Sequence, residues 1–376
     1  MRIVILRSNP VDPDPRVEKE VNSLLKDNHI IKIIAWDRNL KYKNKKGKLK
    51  FKNGEAEIIR FGIPSRFGAG FKQNFIPLCK FQINLLKWLI INKKEYDFIH
   101  ACDFDTAIPA YICNKLLRKK YVYDIFDYYV DAFNVPKKLK KTIEKIDCSV
   151  INNAEATIIC NEKRKEQIKN SIPKKLVVIH NSPNNNFDKI TKCSQNLSNR
   201  IKLVYVGVLT DGRFIMELVN LIKNNKKYEL HIGGFGKYEQ AIRDIAIKND
   251  NIIFYGRISY EKTLELESMC DIITAIYDPN IRNHYYAAPN KFYEALMLGK
   301  PIIMIKNTGM DDIVVKNDIG EVAEFNILSI EKAIDRLVKR KNEWNIISCR
   351  MKKIYSDKYA WFKMEEKLIN LYRTIK

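Results

Sequence analysis

Residues 277–306 read YDPNIRNHYYAAPNKFYEALMLGKPIIMIK, and the order of signals inside that stretch sets the fold. The segment from Pro289 through Leu296 predicts the first turns of a helix, because Pro at a helix entry loses no needed N–H. Gly299 and Pro301 predict its stop: a left-handed cap position, then a residue that cannot continue a helix. Ile302 to Ile305 follow as a short, wholly apolar strand, the pattern of a parallel sheet buried on both faces. A loop entering a helix leaves the first N–H groups free, and such groups bind phosphate. Lys291 adds a cation there, and Asn290, Lys291 and Glu294 fall on one helical face. Bare amides and a cation beside one carboxylate suit a nucleotide, with diphosphate on the amides and ribose hydroxyls on the acid. The same residues also describe a capped helix carrying an ordinary Lys–Glu surface pair, and on this stretch alone both readings stand.

The chain has 376 residues, enough for two domains that each bury a full core. Its 46% hydrophobic and 30% charged residues are those of a soluble globular protein. Eight cysteines occur, none spaced as CxxC and none with a His cluster, which argues against zinc and iron–sulfur sites. The start MRIVILRSNP reads as a first strand and not a signal peptide. No apolar run nears the roughly 20 residues needed to span a bilayer. A cytoplasmic protein with reduced thiols is expected. The net charge of +23 is uneven: residues 1–183 hold 36 Lys and Arg against 20 Asp and Glu. A basic half suggests a polyanionic partner, nucleic acid or an anionic membrane surface, or a Lys-rich bias with no partner behind it. No nucleic-acid reader motif accompanies the charge.

Along the chain, Arg2–Arg7, a helix opened by Asp14 and Pro15, and Ile30–Ala35 form a strand–helix–strand unit, the seed of a doubly wound sheet. Residues Lys41 to Asn53 (KYKNKKGKLKFKN) hold seven lysines and predict a surface hairpin centred on Gly47. Phe61 to Phe71 reads as a Gly-rich loop. Phe75 to Ile91 reads as an amphipathic helix that packs on the sheet or lies on a membrane. Strands are predicted at Tyr96–Ala101, Tyr121–Ile125, Ala156–Cys160 and Leu176–His180. The polar run to Asn199 is a linker. Strand–helix alternation restarts at Ile201, with Gly207 and the Gly233–Gly236 run ending strands, and reaches the opening stretch through Ile272–Ile276. Ligands are expected at the carboxyl ends of strands.

With this order in place, the sequence resembles the GT-B glycosyltransferases, specifically the retaining family-4 type of bacterial polysaccharide and glycolipid synthesis. The residues that carry the resemblance are DPRVEKE, YDFIHACDFDT and KYVYDIFDYY in the first half. In the second they are LVYVGVLTDGR, IGGFGKYE, IIFYGRISYEKTLELESMCDI and PNKFYEALMLGKPII. Their order over most of the chain is the specific signal. The resemblance implies an α/β fold of two Rossmann-like, doubly wound domains facing a cleft: an acceptor domain (1–183), a linker (184–199), a nucleotide-sugar domain (200–355), and C-terminal helices (356–376) returning to the first domain. It implies a transferase moving a sugar from a nucleotide-sugar, UDP- or GDP-linked, to a glycan or polyprenyl-diphosphate-linked acceptor. Glu294 falls at the second acid of the family's E-x7-E motif, which holds the ribose. Asn290, Lys291 and Arg213 would hold the diphosphate. Gly207 and Gly234 would allow close backbone approach. No metal or further cofactor is implied, since basic groups and helix N-termini offset the leaving diphosphate. A peripheral position on the inner face of the plasma membrane is expected.

Two positions depart from the family pattern. Tyr286 stands where the first acid of E-x7-E is expected, near the donor sugar. Phe126 stands where a His often follows the strand matching Tyr121–Ile125, and Asp127 beside it takes over part of that role or caps its loop. His100 reads as a core histidine, and Asp103 and Asp105 as acceptor ligands or helix caps. A nucleotide-sugar epimerase of the same fold and a non-catalytic GT-B partner subunit are the competing readings.

Overall fold

Strands made almost wholly of Val, Ile, Leu and aromatic residues take the middle of two sheets, because a parallel strand covered on both faces has no polar side. The computed structural model describes residues 1–42, 45–66, 70–133, 135–184 and 200–375. All of the expected linker except Asn184 lies outside them. The chain divides into one unit of Met1–His180 with the segment from Met364 onward, and a second unit of Asn181–Lys363.

The first unit runs β1 (Arg2–Arg7), α1 (Pro15–Lys26), β2 (Ile30–Asp37), β3 (Lys46–Phe51), β4 (Gly54–Gly62), α2 (Gly70–Ile91), β5 (Phe98–Cys102), α3 (Phe104–Leu117), β6 (Lys120–Ile125), α4 (Tyr129–Ala132), α5 (Lys137–Asn153), β7 (Ala156–Ile159) and β8 (Leu176–Val178). Its eight-stranded sheet has the order β3-β4-β2-β1-β5-β6-β7-β8. Every pair is parallel except β3 with β4. The lysine-rich hairpin is real, but its turn falls after Phe51, not at Gly47, since Phe51 pairs with Gly54. Its second arm is not a surface excursion: β4 buries Ala56, Ile58 and Ile59 and pairs with β2 in the sheet. The first arm is the charged, exposed edge that limits further strand pairing. α1 starts as expected, with the Asp14 side chain accepting from the Val17 N–H and Pro15 in the first turn. α2 packs Phe81, Leu85 and Leu89 inward, with Trp36 stacked on Phe81 at 4.7 Å between ring centroids.

The second unit runs β9 (Ile201–Val208), α6 (Ile215–Lys223), β10 (Tyr228–Phe235), α7 (Glu239–Lys248), β11 (Ile252–Phe254), α8 (Tyr260–Met269), β12 (Ile272–Ala275), α9 (Arg282–Tyr285), α10 (Asn290–Leu298), β13 (Ile302–Ile305), α11 (Asp311–Asn317), β14 (Gly320–Ala323), α12 (Ile327–Lys339) and α13 (Trp344–Ile354). Its sheet, β11-β10-β9-β12-β13-β14, is parallel throughout. Strand order reverses between β9 and β12, and such a reversal opens a crevice at the carboxyl ends of the strands. The last helix, α14 (Trp361–Ile375), buries Met364, Leu368, Leu371 and Tyr372, all in the first unit.

Candidate functional site

Four charged side chains of the second unit, Arg213, Glu267, Lys291 and Glu294, lie near one another at that reversal. α10 begins after Pro289, which supplies no capping side chain, and ends at Gly299 with φ 68°, the left-handed stop that glycine tolerates. Lys291 and Glu294 on this helix are 7% and 4% exposed, so they are not an ordinary surface pair. The Lys291 ammonium lies 4.6 Å from the centroid of the Tyr205 ring on β9. Burial works against its charge, but Tyr277, Tyr205, Glu294 and Glu267 around it hold its pKa above the usual lysine value. Gly207 is the reason it fits: a Cβ there would stand 3.0 Å from Lys291 Nζ and 3.3 Å from the Tyr205 hydroxyl. Arg213, in the loop after β9, lies over the Tyr277 ring at 3.8 Å. The Asp278 N–H donates to the Gly212 carbonyl at 2.9 Å, which ties the loop after β12 to the loop after β9. Two cations, one buried and one half-buried, thus stand on aromatic faces, and a cation over a ring keeps its charge at lower desolvation cost.

Glu294, on the same buried face as Lys291, also meets α8. The Tyr260 hydroxyl bonds to it, and burial together with this carboxylate pushes the Tyr260 pKa up. Glu267, on the same helix as Tyr260, is fully buried, and among the described residues no group donates to either of its oxygens. Burial first, then the Glu294 charge, pushes its pKa well above the carboxylate range, with Lys291 opposing. Neither Glu267 nor Tyr260, Tyr205 or Tyr277 stands out in the sequence. ELESM reads as a solvated helix turn, and only the packing of α8 on α10 turns Glu267 inward.

The remaining expected residues divide. Asn290 is exposed and accepts from the Asn181 side chain at 3.1 Å, so it does not join Lys291 and Glu294 on their buried face. Gly234 lies inside β10 and not in a loop after it, and a Cβ there would meet the Gly207 carbonyl oxygen at 1.8 Å. The strand pair itself requires that glycine. Tyr286 is 9% exposed and packs edge-on against Tyr285. In the first unit, Asp127 is exposed and accepts from Arg164 at 3.1 Å. Phe126 sits between the guanidinium groups of Arg7 and Arg16, 4.2 and 4.1 Å from its centroid, a position hostile to a charged imidazole. The Asp103 side chain makes no capping bond to α3: its Oδ1 accepts from the Phe126 and Asp127 N–H groups, and its other oxygen pairs with Arg7. Asp105 is buried, which pushes its pKa up to about 6.

His100 is a core residue, as its strand position predicts. Its Nδ1 lies 2.7 Å from the Tyr372 hydroxyl and its Nε2 lies 3.5 Å from both Glu20 and Asp124. Among the described residues, Glu20, His100 and Cys102 form one group with ion-holding geometry. Arg16 bonds to both Glu20 and Asp124, so the buried carboxyls already have their cation.

Residues 186–353 match the model of the family described as glycosyl transferases group 1, a segment that lies within the second unit and contains Arg213, Glu267, Lys291 and Glu294. Solved structures share the fold. Sucrose-phosphate synthase from Thermosynechococcus elongatus superposes with a TM-score of 0.80 at 14% identity, covering 100% of this chain and 99% of that one. The chain has the GT-B fold. Anabaena HepE in complex with UDP gives a TM-score of 0.69 at 13% identity, with both chains covered in full. The catalytic domain of Arabidopsis thaliana starch synthase IV, bound to ADP and acarbose, gives 0.70 at 11%, covering 100% and 99%. No curated protein sequence matches. Among the described residues no helix is long and apolar enough to cross a membrane.

Proposed function

We propose that the protein is a nucleotide-sugar-dependent glycosyltransferase of the retaining, family-4-like type. The observation that carries this is the convergence of Lys291, Arg213 and Glu294 at the strand-order reversal of a GT-B unit whose segment matches glycosyl transferases group 1. In this reading Glu294 accepts the ribose hydroxyls of a UDP- or GDP-sugar. Lys291, Arg213 and the first amides of α10 take the diphosphate. Breaking the anomeric C–O bond leaves negative charge on that diphosphate, and fixed cations that stabilise charge developing in the transition state are usually the largest catalytic contribution. A phosphate oxygen of the donor takes the acceptor proton as the acceptor oxygen bonds to the anomeric carbon, on the face the diphosphate leaves. No metal or additional cofactor enters this scheme. Asp127, held by Arg164, is assigned to the acceptor side.

The acceptor proposed is a glycan or polyprenyl-diphosphate-linked sugar in cell-surface polysaccharide or glycolipid synthesis, reached from the cytoplasmic face of a membrane. Support comes from α2. Its solvent face carries Ile76, Lys80, Ile83, Lys87 and Ile90 in alternation, with Lys94 following. The three isoleucines are 65%, 53% and 37% exposed. Apolar side chains between lysines and no acid suit an anionic lipid surface.

The deciding experiment is a thermal-shift screen of the native protein and Glu294→Ala against UDP, GDP, CDP, ADP and their sugars. Stabilisation of the native protein alone by one nucleotide supports the reading. Equal stabilisation of both, or of neither, refutes it.

A further inference from the structure

Glu267 is a buried acid that the proposed chemistry does not use. It lies on α8 and is 0% exposed, yet among the described residues no N–H or O–H donates to either oxygen. A buried ionised carboxylate without donors is strongly disfavoured, whereas a protonated one supplies its own donor. The charged and titratable groups around it are Glu294 and Lys291 on α10 and Tyr260 on α8, with Tyr205 on β9 beside Lys291. Glu294 stands within hydrogen-bonding reach of it, and Glu294 already receives the Tyr260 hydroxyl.

We propose that Glu267 keeps its proton and donates it to Glu294, aligning that carboxylate to accept the hydroxyl pair of a nucleotide's ribose. Glu267 is then a positioning residue that touches no substrate. With Tyr260 and Glu267 both donating to it, Glu294 is held in one rotamer. One proton between two acids also leaves a single negative charge for Lys291 to balance. An ionised pair would compete with the diphosphate for that cation. This rests on the nucleotide reading of the site, which a separate arm of the test isolates.

The test titrates UDP, GDP and ADP calorimetrically into wild type, Glu267→Gln and Glu267→Leu from about pH 6 to about pH 9. The amide of Glu267→Gln preserves a donor without a charge, so this variant should regain most of the affinity that Glu267→Leu loses, a loss of about tenfold or more. Wild-type affinity should fall as rising pH removes the Glu267 proton, while Glu267→Gln stays flat. Equal and pH-independent affinities in all three proteins overturn the proposal. Thermal midpoints measured without nucleotide form the second arm. A carboxyl whose folded pKa is raised stabilises most at low pH and loses that contribution as pH rises. Glu267→Gln should therefore lose less stability toward high pH than wild type, and coincident slopes overturn the shared proton even if Glu267→Leu does not fold. A slope difference with no nucleotide bound by any protein overturns the ribose assignment and the reading beneath it.

Discussion

The ammonium nitrogen of Lys291 stands 4.6 Å from the centroid of the Tyr205 ring, one residue on the helix that opens at Asn290 and the other on the first strand of its sheet. The ring face lets a buried lysine keep its charge before any anion arrives. Replacing Lys291 with Met, close in length and apolar, should leave the fold intact and weaken nucleotide diphosphate binding by about 2 kcal/mol, roughly 30-fold. Calorimetric titration checks this, and an unchanged affinity would remove Lys291 from the site.

Two glycines on neighbouring strands should separate ligand binding from folding. At Gly207 an added methyl would press on the flexible end of Lys291 and the Tyr205 hydroxyl. Gly207→Ala should therefore weaken nucleotide binding severalfold while the thermal midpoint moves little. At Gly234, with φ 141°, the methyl would meet a backbone carbonyl at 1.8 Å, which no rotamer relieves. Gly234→Ala should destabilise the unit by about 3 kcal/mol or more, read as a lowered denaturation midpoint.

His100 gives the first unit a pH-dependent stability. Burial opposes its charge, but Tyr372, Cys102 and Asp124 around it raise its pKa well above the ordinary imidazole value. The stabilisation is present below the unfolded value near about 6.5 and lost as pH rises through the folded one. Asp124, raised to about 7 by burial and the Glu20 charge against the pull of Arg16, acts in the same direction. The thermal midpoint should fall between about pH 6 and about pH 9, and His100→Gln should flatten that slope. Tyr372→Phe, which deletes the 2.7 Å bond to the ring, should cost about 1–2 kcal/mol.

The outer face of α2 should bind vesicles that contain anionic lipid and release them as salt rises past about 0.15 M, where screening shortens to about 8 Å. Ile83→Asp places a charge among exposed isoleucines and should abolish co-sedimentation without affecting nucleotide binding. Binding indifferent to lipid charge and to salt would remove the membrane from the proposal.

Local sequence rules reach far into this fold. Asp14 and Pro15 opening α1, Pro289 and Gly299 bounding α10, and the apolar run Ile302–Ile305 are all legible because caps, stops and fully buried strands depend on residues a few positions apart. The hairpin shows where such rules fail. Gly47 looked like the turn, but GEAEIIRFG is needed as the partner of β2, and that pairing moves the turn past Phe51.

The stretch from Tyr277 to Lys306 determined by itself that a helix starts after Pro289, stops at Gly299 and leads into a buried strand. It also placed Lys291 and Glu294 one turn apart. Only the tertiary structure decided that both are buried, that Asn290 turns to Asn181 instead, and that Lys291 meets Tyr205 while Glu294 meets Tyr260 and Glu267. The physical reason is the range of the interactions. Caps and periodicity act within a turn of chain, whereas desolvation, a shared proton and a cation on a ring depend on residues that packing brings from other strands and helices.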